Sequence, residues 1–180
     1  WRSLLGIISI AFAVTSQAAT LTPVIDSFTL TDLIEDGSVK VLEIRSDENA
    51  YLEQHIPGSV YLSYEEFRGP NTNPGKLPEF SKLAKALGSR GIQTDDTVVI
   101  VHDGVTTTDF GAAARVYWTL KSVGFESLTI LNGGFRAYQK DGFDLVTGET
   151  KVSPVNPMLV FNPEWYADTA EVAKQVVGHD

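Results

Sequence analysis

The 180-residue sequence contains no cysteine. That absence removes disulfides, thiolate nucleophiles and cysteine-bound metals from the chain's own chemistry. Basic residues are scarce beside acidic ones, 14 Lys and Arg against 23 Asp and Glu, for a formal net charge of −9 at pH 7. Nucleic acid binding wants a basic face, so no nucleic-acid partner is expected. Histidines number three. His55 and His102 have no sequence-adjacent third ligand, so neither a metal nor another cofactor is expected. Low-complexity tracts and internal repeats are also missing. What remains is the make-up of a folded domain, 43% hydrophobic and 21% charged, with length for one α/β unit and something left over.

The first residues stand apart. "WRSLLGIISIAFAVTSQAAT" has one cation, Arg2, then an uncharged apolar run from Leu4 to Val14, then small and polar residues. The run is short for a bilayer span and suits the core of a signal peptide, with cleavage expected after Ala18. The alternatives are a short buried helix or a retained anchor. Export makes the expected location periplasmic or secreted, with no stable membrane anchor once residues 1–18 are gone. Trp1 in place of methionine, and an end at His179-Asp180 without a terminus signal, lead to the expectation of a fragment.

Along the rest of the chain, strands alternate with helices. Thr29-x-x-Asp32 reads as a capping box opening a short helix that Gly37 stops. "VKVLEIR", Val39 to Arg45, reads as a buried strand ending in charge, followed by a helical turn at "DENAYLEQ" and an extended "HIPGSVYL" with a turn at Pro57-Gly58. Residues 69–76 form a loop and Pro78 to Leu87 a helix. Val98 to Val101 is the clearest strand. Ala113, Val116, Tyr117 and Leu120 then recur at helical spacing as a buried stripe. "SLTIL" is a further strand, and Gly133-Gly134 a tight turn into a helix from Phe135 to Lys140. This alternation predicts an α/β fold, a doubly wound parallel sheet with helices on both faces. Ligands bind such sheets beyond the carboxyl ends of the strands, where Arg45 and Asp103 both fall. After Leu145 the texture becomes proline-rich and extended, and Asp168-x-x-Glu171 opens a new helix with a capping box.

Three stretches carry a resemblance. "VLEIRSDENAYLEQHIPGSVYLSYEEFR" and "LNGGFRAYQKDGF", flanking "VVIVHDG" in that order, resemble the motifs of rhodanese or sulfurtransferase domains over about Ser27 to Val146. Glu43, Gln54 and Tyr138 depart from the family's usual aspartate, glycine and tryptophan. More narrowly, the chain is similar to the first, cysteine-less half of two-domain thiosulfate sulfurtransferases. After the leader at 1–18, the resemblance implies a non-catalytic rhodanese domain at 19–148, a linker at 149–163 and the start of a truncated second rhodanese domain at 164–180. It implies as partners that second domain in the same polypeptide and a small anionic sulfur donor.

Sulfane-sulfur transfer needs a thiolate that holds a sulfur atom and releases it to an acceptor. By the resemblance, Asp103 stands where the family's cysteine would be, and a carboxylate forms no persulfide. The chain by itself is therefore expected to be inactive, the reactive cysteine lying in the second domain. The resemblance implies a loop whose N–H groups curl into an anion nest around that position, donors that the Asp103 carboxylate could use. Candidate loop and pocket residues are Asp103, Gly104, Phe110, Arg115 and Arg45. For each arginine the simpler reading is an ion pair with Asp103, Glu43 or another carboxylate, and the functional reading is an anion pocket. Phe110, read as part of the loop, either lines a partner domain's pocket or packs locally. His55 reads as a buried hydrogen-bonding group, and Tyr117, Trp118 and Phe135 as core. Two other functions are kept open: a free-standing exported module binding an anion or a protein, and an aspartate-based phosphotransfer domain using magnesium.

Overall fold

A computed structural model describes residues 21–177. The expected leader at 1–18 and His179 lie outside the described residues. Five short strands form one sheet in the order β1-β5-β4-β2-β3, and every pairing is parallel. They are β1 (Val24–Ile25), β2 (Lys40–Glu43), β3 (Val60–Tyr61), β4 (Val98–Val101) and β5 (Leu128–Leu131). The helices are α1 (Ser27–Glu35), α2 (Glu48–Glu53), α3 (Phe80–Ser89), α4 (Thr107–Ser122), α5 (Gly134–Lys140) and α6 (Thr169–Val177).

The central strand explains the layering. All four β4 residues are buried, as continuous apolar runs in parallel sheets require. Successive side chains point to opposite faces. Val98 and Ile100 join Leu83, Leu87, Val116 and Leu120 in a core beneath α3 and α4. Val99 and Val101 join Leu30, Phe135 and Tyr138 in a second core beneath α1 and α5. Each fully buried Leu or Val contributes roughly 1.5–3 kcal/mol, so the two cores rather than any cross-link hold the fold. The expected doubly wound sheet is what the structure has.

Two local readings change. The cap of α1 is Asp26, whose carboxylate accepts the Thr29 N–H at 2.8 Å, and not a box built on Thr29 and Asp32. Asp26 comes directly out of β1, so the helix begins three residues before the expected box. That two-residue edge strand carries too little alternation to be read from sequence. The proline-rich segment after residue 149 is extended, as expected, yet lies against the domain. Val155 N–H donates to Gly88 O, Val160 N–H to Val123 O and Asn162 N–H to Ser122 O. Gly88 permits this approach: a Cβ there would come within 2.3 Å of Val155 O. At the far end Asp168 and Glu171 form the expected capping box of α6, whose Val172 and Val176 are exposed.

Candidate functional site

The order of the strands sends β2 to β3 toward one edge and β4 to β5 toward the other. The crevice between the carboxyl ends of β2 and β4 is therefore where such a sheet presents a ligand site. Glu43 pairs with Val101 in register. The residues just beyond, Ile44 to Ser46 on one side and His102 to Gly104 on the other, are thereby brought face to face. A cleft of about 310 Å³ opens there, lined by Ile44, Arg45, Ser46, Ser63, Tyr64, Glu65, His102, Asp103, Thr108, Asp109 and Ala112.

Arg45 ties the site to the core. Its Nε donates to Asp103 Oδ1 at 3.3 Å and its Nη1 to Gln54 O at 2.6 Å. Nη1 also lies 3.6 Å from Glu43 Oε2, an ion pair beyond hydrogen-bond reach, and the guanidinium stacks 3.9 Å from the Phe135 ring centre. Arg45 thus pairs with both Asp103 and Glu43, as the simpler expectation had it. Glu43 is fully buried; its Oε1 accepts the Ile56 N–H at 2.9 Å and the Ser59 hydroxyl at 2.7 Å. Burial pushes its carboxyl above the usual range, against the pull of those hydrogen bonds and of Arg45.

Asp103 sits at the mouth, its side chain 21% exposed. Its Oδ2 accepts the Ser46 N–H at 2.8 Å. The donors to Asp103 thus come from the end of β2, across the crevice, and not from the loop nest it could have used. Two of the loop's N–H groups serve another carboxylate. Asp109 Oδ2 accepts from both Val105 and Thr106 N–H at 2.8 Å, and Oδ1 accepts the Thr106 hydroxyl at 2.7 Å. These bonds, the Thr106 hydroxyl foremost, hold the Asp109 carboxyl below its usual value. Asp109 lies one helical turn along from the loop, where its short side chain reaches back to the free N–H groups at the helix start. Sequence reading missed it as a site residue, although its place three residues after Thr106 is the capping signal.

Gly104 has φ +80°, and a Cβ there would sit 1.9 Å from Gly133 O. Only glycine lets the loop after β4 pass the turn before α5. Phe110 belongs to the first turn of α4 rather than to the loop, and is 41% exposed, its ring edge-on to His102 at 5.8 Å. Arg115 is not part of the cleft and meets no carboxylate. It points the other way, donating to the carbonyls of Gly75 at 2.9 Å and Lys76 at 2.6 Å and stacking over Trp118. It therefore fixes the 69–76 loop on α4, its Nη groups donating to carbonyls rather than acids.

The two histidines differ sharply. His55 is buried and partnered, with Nε2 2.8 Å from Gly148 O and Nδ1 near Ile56 O and the Ser59 hydroxyl. His102 is 4% exposed, and among the described residues neither ring nitrogen has a partner. Burial lowers its pKa, against the nearby carboxylates of Asp109 and Asp103. Among the aromatics expected as core, Phe135 is buried, whereas Tyr117 and Trp118 are half-buried and pack against Trp165 and Tyr166 of the C-terminal segment.

Comparison with known proteins agrees with this architecture. The model of the rhodanese-like domain matches residues 29–141. A putative thiosulfate sulfurtransferase of Synechococcus elongatus is 32% identical over 110 residues, covering 61% of this chain and 33% of that protein. Bovine (Bos taurus) thiosulfate sulfurtransferase is 35% identical over 114 residues, covering 61% and 37%. The 3-mercaptopyruvate sulfurtransferase of Escherichia coli K12 is 27% identical over 153 residues, covering 79% and 53%. The matches thus span about a third to a half of these relatives' length. Among solved structures, SseA from Escherichia coli, described as having the rhodanese fold, superposes with a TM-score of 0.72 at 25% identity over 86% of this chain and 61% of its own. The wild-type structure of EanB shares the fold, with a TM-score of 0.69 at 22% identity over 88% of this chain and 41% of its own.

Proposed function

The chain belongs to the rhodanese-like domain family, and from that premise we propose that it is a non-catalytic rhodanese domain of an exported two-domain thiosulfate sulfurtransferase. The observation that carries the reading is Asp103. A carboxylate, fixed by the Ser46 N–H and Arg45, stands at the end of β4 in a chain without cysteine. Oxygen there accepts hydrogen bonds but holds no transferable sulfur.

On this reading the reaction runs in two halves on a cysteine in a second domain. Its thiolate attacks the outer sulfur of thiosulfate, releasing sulfite and leaving a persulfide. Cyanide or a thiol then takes that sulfur and restores the thiolate. The present domain braces its neighbour, with residues 149–163 running between them and residues 164–180 opening the second unit. The exposed Val172 and Val176 on α6 support that placement, since an amphipathic helix in such a protein needs an apolar surface to cover it. Residues 1–18 direct export on the same reading.

The rivals find less support. An anion-binding module would have to admit its ligand beside the chain's own carboxylates, Asp103 and Asp109, which already take Arg45 and the N–H groups of Ser46, Val105 and Thr106. Phosphotransfer on Asp103 would need further metal-ligating carboxylates beside it. Among the described residues no three His, Asp or Glu side chains gather at such spacing.

The test is thiocyanate formation from thiosulfate and cyanide. The 180-residue chain alone should give no more than the uncatalysed rate, and a protein encoded by the extended reading frame should turn over. Turnover by the chain itself would overturn the proposal, as would a continuation without a cysteine-bearing domain.

A further inference from the structure

The buried network on the inner side of β2 needs more hydrogens than its side chains bring in their ordinary charge states. His55 is 1% exposed. Its Nε2 lies 2.8 Å from Gly148 O, and a carbonyl only accepts, so Nε2 carries a hydrogen. Its Nδ1 lies 3.1 Å from Ile56 O and 3.2 Å from the Ser59 hydroxyl. Ser59 gives its one hydrogen to Glu43 Oε1 at 2.7 Å, so both oxygens beside Nδ1 present lone pairs. The links Gly148–His55, His55–Ser59 and Ser59–Glu43 thus take three hydrogens. A neutral imidazole and a hydroxyl bring two, and an ionised carboxylate brings none. One further proton completes the chain. It sits on His55 as an imidazolium, or on Glu43 with the Ser59 hydroxyl turned to Nδ1, and the count is the same in both.

The groups packed around the network divide that proton between its two ends. Arg45, beyond β2, sets Nη1 3.6 Å from Glu43 Oε2 and favours the carboxylate. Burial works the other way and raises the carboxyl of Glu43. Tyr51 of α2 stacks on the imidazole at 4.3 Å and donates its hydroxyl to Ser59 O, with Tyr61 of β3 against its ring. Burial raises both phenols, which stay neutral. Asp103, beyond β4, is paired with Arg45, and Glu149, next to Gly148, is paired with Arg90. When the extra proton leaves, Glu43 is ionised behind Ser59, and two oxygens still face Nδ1. The remaining ring hydrogen therefore stays on Nδ1. Nε2 is left bare, lone pair against lone pair with Gly148 O.

From this hydrogen count we propose that Glu43, Ser59 and His55 hold one shared proton, and that this proton latches residues 146–148 beside α2 and loosens them as pH rises. The latched segment leads into the extended strap. His55 and Val146 exchange backbone hydrogen bonds at 2.9 Å, and the Gly148 N–H donates to Leu52 O in α2 at 2.8 Å, so the side-chain link closes the same clasp. The closed state binds the proton more tightly than the open one. The link is therefore complete on the acid side and is lost as pH rises through the network's titration. The inference is independent of the sulfur chemistry proposed above; it holds whether or not a catalytic domain lies alongside.

Ring and amide ¹H–¹⁵N NMR of the 180-residue chain, read from about pH 5 to pH 9, tests it. His55 Nε2 should carry a hydrogen at the acid end and lose it at the alkaline end, leaving the Nδ1–H form. The Gly148 and Glu149 amide signals should move with the same midpoint. Glu43→Gln, its fold checked by circular dichroism, keeps an acceptor for Ser59 and Ile56 but removes the charge. It should lower the midpoint by at least about one pH unit, a tenfold loss of proton affinity. No change at Nε2 across the range, a Gly148 amide that stays still while the ring titrates, or an unmoved midpoint in Glu43→Gln would each overturn the inference. The first two readings need no variant.

Discussion

Two histidine–carboxylate neighbourhoods flank β2, joined by one arginine, and they are built to opposite standards. On the inner side Glu43, Ser59 and His55 bond to one another and to the backbone of Ile56 and Gly148. On the outer side His102 lies buried beside Asp103 and Asp109 and bonds to neither. Buried polar groups are normally satisfied, and an unsatisfied one costs about 1–3 kcal/mol. The difference teaches which neighbourhood is tied into the framework and which is not. The inner network locks the end of β2, the 55–59 segment and the segment at Gly148 together. The outer one leaves both nitrogens of a buried imidazole without a partner among the described residues.

The largest break in this contrast should come from Glu43→Ala. It strands the Ile56 N–H and the Ser59 hydroxyl and leaves Arg45 with one carboxylate, so urea denaturation should show a loss of about 3–5 kcal/mol. A loss below about 1 kcal/mol would mean that the inner network is not structural.

Next comes a matched pair. His55→Leu removes the partner of Gly148 O and should cost about 2 kcal/mol, whereas His102→Leu exchanges an unpartnered imidazole for an apolar side chain and should be neutral or slightly stabilising. Equal losses in the two variants would erase the distinction drawn between the histidines.

Smallest, and most specific, is the dependence on pH. Glu43's carboxyl is raised in the fold, so the native state binds its proton more tightly than the unfolded chain does. That contribution is fully present below the ordinary value of 4.5 and is lost as pH rises through the raised one. His102 behaves oppositely: its pKa is lowered, so stability is full above the ordinary 6.5 and is lost as pH falls through the lowered value. Stability profiles of Glu43→Gln and His102→Leu should each lack the corresponding slope. A His102→Leu profile that parallels the parent below pH 6.5 would contradict the buried, neutral imidazole.

Much of the framework was legible because continuous apolar runs and helical stripes are local signals. Val98 to Val101 came out residue for residue, and the α4 stripe was read at its buried positions Ala113, Val116 and Leu120. The strand-end rule put Arg45 and Asp103 together before any coordinates. What stayed hidden depends on register and rotamer. Nothing in the spacing says that Arg115 turns to the carbonyls of Gly75 and Lys76, or that Asp109 rather than Asp103 receives the loop's N–H groups. In sequence His102 shows only the lack of a neighbouring third metal ligand; three-dimensional burial is what leaves its ring nitrogens without partners among the described residues. The strap from Val155 to Asn162 was equally invisible, since extended proline-rich segments have no periodicity to show which surface they cover.

The central claim is that oxygen stands where sulfur transfer needs a thiol, and intact-mass spectrometry tests it most directly. The purified chain, incubated with excess thiosulfate and desalted, should keep its mass unchanged. A gain of one sulfur atom, mapped to any residue of the loop after β4, would contradict the account.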